Sequence, residues 1–169
     1  MEDVNIYHEK QRLQLCLLHT LNNLLQKEAF TKYDLDCIAE SLHDSRWFNR
    51  HRSIFGTGDY DVNVLIAALE THHLQVVWFD ARRSTADIDQ TKVIGYIFNV
   101  NSRGWLPLFS GRHWFAVREV GSAGFFNFDS KKSEPEPIKD FYQFADKLLA
   151  EGSQLMLVVK PENAGICMP

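Results

Sequence analysis

The sequence predicts an α+β fold with a largely antiparallel sheet. Helical patterns are concentrated before His72-His73, and closely spaced strand patterns dominate the chain after this pair. The link Gly121-Ser122-Ala123-Gly124 between two of these strands is typical of a hairpin. The chain has 169 residues, 45% of them hydrophobic, which is enough for one domain with a substantial core.

The first helix is predicted over the apolar stretch Leu13–Leu25, continuing to about Lys27. Its apolar residues lie on every side of a helical wheel, which is typical of a buried helix. Cys16 lies near its start, where unpaired N–H groups and the helix dipole favour a thiolate. Gln11 lies just outside the helix, where its amide can donate to a developing oxyanion. The simpler alternative is a core helix that carries an inert cysteine.

Two more helices and a long loop are predicted next. The segment Thr31–Asp34 resembles a capping box that opens a helix through Leu42. Periodicity is lost from His43 to Asp59, where aromatic and basic residues are mixed. A loop of this length and composition favours contact with a partner, and packing of its aromatic residues into the core is the alternative. Asp61 is predicted to cap the third helix.

The second half of the chain has the alternating and fully apolar patterns of strands. Strands are predicted over residues 74–79, 93–100, 113–120, 124–129 and 154–160. Between them, the sequence predicts a short helix around 87–90, a loop over 101–112, a turn over 133–137 and an amphipathic helix over 138–150.

A catalytic hypothesis depends on His113 and Asp129. The predicted hairpin brings both to one open end, so that Asp129 can orient the imidazole of His113 toward Cys16. The order Cys, His, then Asn or Asp, with a Gln upstream, is that of papain-type peptidases. Alternatively, His113 is an ordinary strand start and Asp129 an ordinary turn residue. His19 is a rival base, but we expect no orienting acid beside it, so a packed, hydrogen-bonded role is favoured.

Composition excludes several other classes of function. The net charge is −4 without a long basic run, so nucleic acid is not expected as a partner. No apolar run approaches the roughly 20 residues of a transmembrane helix, and the N-terminus lacks the features of a signal peptide. The three cysteines form no C-x-x-C pair, and His72-His73 lacks further metal ligands. We therefore expect a monomer in the cytoplasm, with access to the nucleus, that has no metal.

Several motifs together resemble the Josephin domain family. Its opening signature is similar to Tyr7–Gln11, Leu15-Cys16, His19 and Leu21–Gln26. Its later blocks match, in order and spacing, His113-Trp114, Phe126–Lys131 and Leu157–Val159. The short single-domain members are similar at Asp59–Val64 and Trp78–Asp80. The resemblance runs from about Tyr7 to Lys160, nearly the whole chain.

This resemblance implies a papain-like cysteine protease fold, with one catalytic domain over residues 1–169. Its N-terminal helices include a buried catalytic helix and, over about residues 31–59, the helical hairpin that lies beside the ubiquitin groove in the family. The implied nucleophile is Cys16, the base His113 and the oxyanion-hole residue Gln11. Asp129 matches the third catalytic position, which is Asn in longer members and Asp in the short ones.

The implied activity is that of a deubiquitinase, which hydrolyses the isopeptide bond at the C-terminus of ubiquitin. The implied partners are ubiquitin and ubiquitinated proteins, and no metal or organic cofactor is needed. Two alternatives stay open. One is a papain-type hydrolase of another ubiquitin-like or amide substrate, and the other is a ubiquitin-binding module with negligible turnover.

Overall fold

A computed structural model describes residues 6–12, 15–44, 62–102 and 111–168. This part of the chain contains the helices α1 (Cys16–Leu25), α2 (Lys32–Asp44), α3 (Val62–Thr71) and α4 (Phe141–Ala150). Its strands are β1 (Gln75–Trp78), β2 (Val93–Ser102), β3 (Gly111–Glu119), β4 (Phe125–Phe128), β5 (Glu136–Ile138) and β6 (Gln154–Val159). Single 3₁₀ turns cover Thr85–Asp87, Gln90–Lys92, Gly121–Ala123 and Pro161–Asn163.

The strands form one six-stranded sheet in the order β1-β6-β2-β3-β4-β5. Each neighbouring pair is antiparallel, so the predicted α+β class with an antiparallel sheet is confirmed. The predicted hairpin at Gly121–Gly124 joins β3 to β4, and its register pairs Ala116 with Phe128. This register places the start of β3 and the end of β4 at the same edge of the molecule.

Helices cover both faces of the sheet. On one face, Ile97, Trp114 and Met156 pack against leucines of α1, α2 and α3. On the other face, Phe98 and Phe115 pack with residues of α4 and with the segment after β6. Successive residues of a strand point to opposite faces, so a strand that is covered on both faces is apolar at every position. This explains why β6 is apolar and buried at every position from Leu155 to Val159.

A glycine lets α1 lie close to the sheet. A Cβ atom on Gly95 would approach Leu24 Cδ1 to 2.5 Å and the carbonyl oxygen of Val117 to 3.3 Å. Arg118 Nη1, on β3, donates to the carbonyl oxygen of Leu24 at 2.6 Å, which satisfies one of the carbonyl groups at the end of α1. These contacts fix α1 on the sheet and thereby fix the position of its first residue, Cys16.

Several predicted boundaries were wrong. α2 continues through Asp44, so His43 and Asp44 belong to a helix rather than to the loop. Both described ends of the predicted loop over 101–112 are strand, because β2 continues to Ser102 and β3 begins at Gly111. The short helix expected around 87–90 is instead a pair of 3₁₀ turns.

The region around Pro137 differs most from the prediction. Residues 136–138 form β5 rather than a turn, and α4 begins at Phe141 rather than at Ile138. Proline is compatible with β5 because this strand lies at the edge of the sheet and pairs with β4 alone. Asp140 sets the start of α4, since its side chain accepts a hydrogen bond from the backbone N–H of Gln143 at 3.0 Å.

Other predictions agree with the structure or lie beyond the described residues. The capping box is confirmed, because Asp34 Oδ2 accepts from the N–H of Thr31 at 2.7 Å and Thr31 Oγ1 accepts from the N–H of Asp34 at 3.3 Å. The first helix was predicted from Leu13 to about Lys27, but α1 begins at Cys16, after the non-helical Leu15, and ends at Leu25, before the left-handed Gln26. The cap at Asp61 and the loop over 45–59 lie outside the described residues. None of the helices in the described part of the chain is long and apolar enough to cross a membrane.

Candidate active site

Cys16 is the first residue of α1 and is half-buried. The residue before it, Leu15, has no side-chain oxygen with which to cap the N–H groups of the first turn. From Leu17 to Leu24 each residue of the helix is buried, so the helix itself cannot shift without disturbing the core. The thiol therefore lies at a fixed helix N-terminus, where backbone N–H groups and the dipole favour negative charge.

His113 and Asp129 are in direct contact, as the hairpin predicts. Nε2 of His113 lies 2.7 Å from Oδ1 of Asp129, and the side chain of Cys16 is near enough to the imidazole to help raise its pKa. His113 is only 4% exposed, so water competes little for these contacts. Asp129 is held in turn by the backbone N–H of Lys131, which donates to Oδ1 at 2.9 Å. The structure thus brings the predicted thiol, imidazole and carboxylate together.

The charges of this pair follow from its surroundings. Burial lowers the pKa of His113, but the hydrogen bonds to Asp129 and Cys16 and the charge of Asp129 outweigh burial and leave this pKa raised. Burial raises the pKa of Asp129, but the bonds from His113 and the Lys131 backbone outweigh it and leave this pKa lowered. Both shifts favour an imidazolium beside a carboxylate.

Gln11 lies beside the turn that follows Asp129. Its backbone N–H donates to the carbonyl oxygen of Ser130 at 2.7 Å, and its side-chain Oε1 accepts from Ser130 Oγ at 3.4 Å. A glutamine side chain carries an acceptor oxygen and two N–H donors, and this contact uses the oxygen. The next residue, Arg12, donates its backbone N–H to Nε2 of His19 at 3.2 Å.

His19, the rival base, has a packed and hydrogen-bonded position, as predicted. It is buried, and both of its ring nitrogens have partners, since Nδ1 lies 2.6 Å from Oε2 of Glu9. The expectation that no acid lies beside His19 was wrong. Glu9 comes from the extended lead-in ten residues upstream, and local helix geometry gives no indication of that contact.

The remaining residues of the opening motif hold this lead-in segment against α1. Asn23 accepts from the N–H of Glu9 at 2.6 Å and donates to the carbonyl oxygens of Glu9 and Phe128, both at 3.2 Å. Gln26 bonds the N–H and the carbonyl oxygen of Tyr7, both at 3.1 Å. The sequence reasoning assigned no role to these polar residues, although their position on a buried helix indicates that they need hydrogen-bond partners.

The other cysteines lie apart from any such arrangement. Cys37 is exposed on α2, and Cys167 is buried near the end of the chain. Among the described residues, no group of three or more His, Cys, Asp or Glu side chains is arranged to hold a metal ion.

Comparisons with known proteins agree with the motifs. The family model for Josephin matches residues 11–159. Human Josephin-2 is 41% identical over 165 residues, covering 93% of this chain and 87% of that protein. The Josephin-like protein of Drosophila melanogaster is 39% identical over 167 residues, covering 94% of this chain and 75% of that protein. Human ataxin-3 is 30% identical over 174 residues, covering 91% of this chain and 45% of that protein.

Proposed function

The chain belongs to the Josephin family, and we propose that it is a cysteine-dependent deubiquitinase. The proposed reaction is hydrolysis of the isopeptide bond at the C-terminus of ubiquitin, on proteins or polyubiquitin chains. The observation that carries this proposal is the 2.7 Å contact between His113 and Asp129, with the side chain of Cys16 close to the same imidazole. We further propose a single catalytic domain that acts as a monomer in the cytoplasm, with access to the nucleus.

In the proposed acylation step, the Cys16 thiolate attacks the carbonyl carbon of the last ubiquitin glycine. The carbonyl oxygen becomes an oxyanion, and the amide of Gln11 and the backbone N–H of Cys16 donate hydrogen bonds to it. His113, as the imidazolium, then gives its proton to the leaving lysine amine while the C–N bond breaks. The product is a thioester between Cys16 and ubiquitin.

Deacylation uses the same residues in reverse. The neutral imidazole of His113 takes a proton from water as the water oxygen attacks the thioester carbonyl, and the C–S bond then breaks to release the Cys16 thiolate. The ubiquitin carboxyl group gives its proton to solvent, and the thiolate and imidazolium are restored. Asp129 keeps the imidazole in one orientation and stabilises its protonated form during both steps. The proximity of Cys16 to His113 supports turnover over the alternative of a binding module with negligible activity.

The test is a ubiquitin that carries a thiol-reactive electrophile at its C-terminus. We expect the intact mass of the protein to increase by one ubiquitin, with peptide mapping placing the adduct on Cys16. Cys16→Ala should form no adduct, hydrolyse no substrate and still bind ubiquitin. Cys37→Ser is the matched control, because Cys37 is the more exposed thiol but has no imidazole partner in the proposed mechanism.

An adduct on Cys37, or none at all, would contradict the proposal. A panel of tagged ubiquitin-like proteins distinguishes a deubiquitinase from the remaining alternative, a papain-type hydrolase of another substrate. Faster hydrolysis of one of these proteins than of ubiquitin would replace the proposed substrate while leaving the assignment of Cys16 intact.

A further inference from the structure

We propose that Glu9 and His19 are positioning residues for the oxyanion donor, because together they anchor the backbone that carries Gln11. The inference rests on the proposed hydrolase function and deepens it. The two side chains form a largely buried acid–imidazole pair between the lead-in segment and the Cys16 helix, separate from the pair formed by His113 and Asp129. Neither residue has a chemical step in the proposed mechanism.

The contacts of His19 fix its tautomer. A backbone N–H, that of Arg12, donates to Nε2, so this nitrogen carries a lone pair. The ring proton is then on Nδ1 and donates to Oε2 of Glu9 at 2.6 Å. A carboxylate only accepts, so it selects this tautomer. With the opposite tautomer, two N–H groups would face each other and the bond to Arg12 would be lost.

Glu9 is itself held in place. Its carboxylate accepts hydrogen bonds from Tyr7 Oη and from Asn22 Nδ2, whose distances to the two carboxylate oxygens are 3.0 and 3.2 Å. Its backbone is bound on both sides by Asn23. Asn23 also binds the carbonyl oxygen of Phe128, the residue before Asp129. The acid that orients His19 is thus connected to α1 and to the end of β4.

The consequence for Gln11 follows from two successive backbone bonds. The N–H of Gln11 is bound by Ser130, next to the carboxylate of the proposed triad. The N–H of Arg12 is bound by His19, one turn along the helix from Cys16. Gln11 therefore spans the two parts of the site, and His19 supplies the anchor on the nucleophile's side. Removing this anchor takes away the hydrogen bond that joins the peptide after Gln11 to α1.

The first experiment compares two substitutions at His19. Leu removes the acceptor at roughly constant size, whereas Gln offers an amide oxygen near the position of Nε2. We expect His19→Leu to lower kcat on a fluorogenic ubiquitin substrate by about 10- to 100-fold with little change in KM, as for a misplaced catalytic group. His19→Gln should recover most of this loss. Glu9→Ala should give an intermediate loss, because Nε2 remains but its tautomer is no longer selected.

A double-mutant cycle with Gln11→Ala gives a readout that a merely structural role would not produce. If His19 acts through Gln11, His19→Leu should cost little more in the Gln11→Ala background. Alkylation of Cys16 by chloroacetamide gives a second readout, because displacement of chloride forms no oxyanion. We expect its rate to be the same in His19→Leu and wild type.

Three results would overturn the inference: full additivity in the cycle, no recovery in His19→Gln, or an alkylation rate that falls together with kcat. Exchange of the Arg12 amide proton, followed by NMR, tests the anchor without any substrate. Protection should be lost in His19→Leu and kept in His19→Gln, and equal protection in both would also overturn the inference. If the wild type hydrolyses no ubiquitin substrate, the proposed function fails, while amide exchange still decides whether His19 holds this backbone.

Discussion

Asp129 carries a charge at a position where an asparagine would supply an acceptor alone. This charge is one reason why the pKa of His113 is raised. Asp129→Asn keeps an oxygen acceptor of the same size but removes the charge, so it should lower the pKa of His113. Because the active form needs the imidazolium, the alkaline limb of the pH profile of kcat/KM should move to lower pH. The variant should remain folded and measurably active.

Asp129→Ala is the control for this prediction, since it removes the acceptor as well and leaves the imidazole free to rotate. It should lose more activity than Asp129→Asn when all three proteins are measured over a pH series with a ubiquitin fluorogenic substrate. Identical profiles for wild type and both variants would exclude Asp129 from the mechanism. The next candidate would then be Asn127, whose side-chain oxygen accepts from the N–H of Asp129 at 3.0 Å.

Gln11 gives a second prediction at the residue scale. If its amide stabilises the oxyanion, Gln11→Ala should lower kcat by roughly 10²–10³ and leave ubiquitin affinity nearly intact. Ser130→Ala should lower kcat less than Gln11→Ala does, because it removes the long 3.4 Å bond to the Gln11 side chain but keeps the backbone bond. Kinetics and binding assays measure both effects. Wild-type kcat in a well-folded Gln11→Ala protein would exclude the role, as would parallel losses of thermal stability and activity.

The secondary structure shows where local patterns suffice and where they do not. α1, α2 and the β3–β4 hairpin were predictable because apolar periodicity, a capping box and a glycine-bounded turn are local signals. β5 was not, since three residues around Pro137 have no strand pattern and pair only because β4 offers a free edge. The start of α4 was missed for a related reason: Ile138 is apolar and continues the helical pattern, but it belongs to β5.

The close packing of α1 on the sheet gives a prediction at the scale of elements. Gly95→Ala should reduce the free energy of unfolding by about 1–3 kcal/mol, because the new methyl group would overlap the fully buried Leu24. Activity should fall as well if the helix shifts at its first residue. Gly165→Ala is the matched control, since a Cβ there meets no atom within 4 Å. Denaturant titration measures both, and equal stabilities would show that the core adjusts around the methyl group.

At the scale of the whole molecule, the site combines contacts of two kinds. Cys16, His113 and Asp129 were predictable as a group because their order along the chain is that of papain-type peptidases. The β3–β4 hairpin then brings His113 to Asp129. The Glu9–His19 pair was not, because the lead-in over residues 6–12 has no periodic structure and its place depends on contacts with α1 and the end of β4. A buried polar residue on a helix indicates that a partner exists, but only the tertiary fold identifies it.

The Josephin match ends at residue 159, and the segment that follows it contributes to the core. Cys167 is fully buried in the core on the α4 side, and its carbonyl oxygen accepts from the N–H of Asp89 at 2.9 Å. Truncation after Lys160 would expose the apolar residues beneath it, so we expect a loss of about 1–3 kcal/mol of stability. The value of kcat/KM per folded molecule should be unchanged, since the proposed mechanism uses no residue of this segment. Thermal melts and active-site titration measure the two quantities, with Ile166→Ser, at a 52% exposed position, as the control. An unchanged melting temperature after truncation would show that the domain ends with β6.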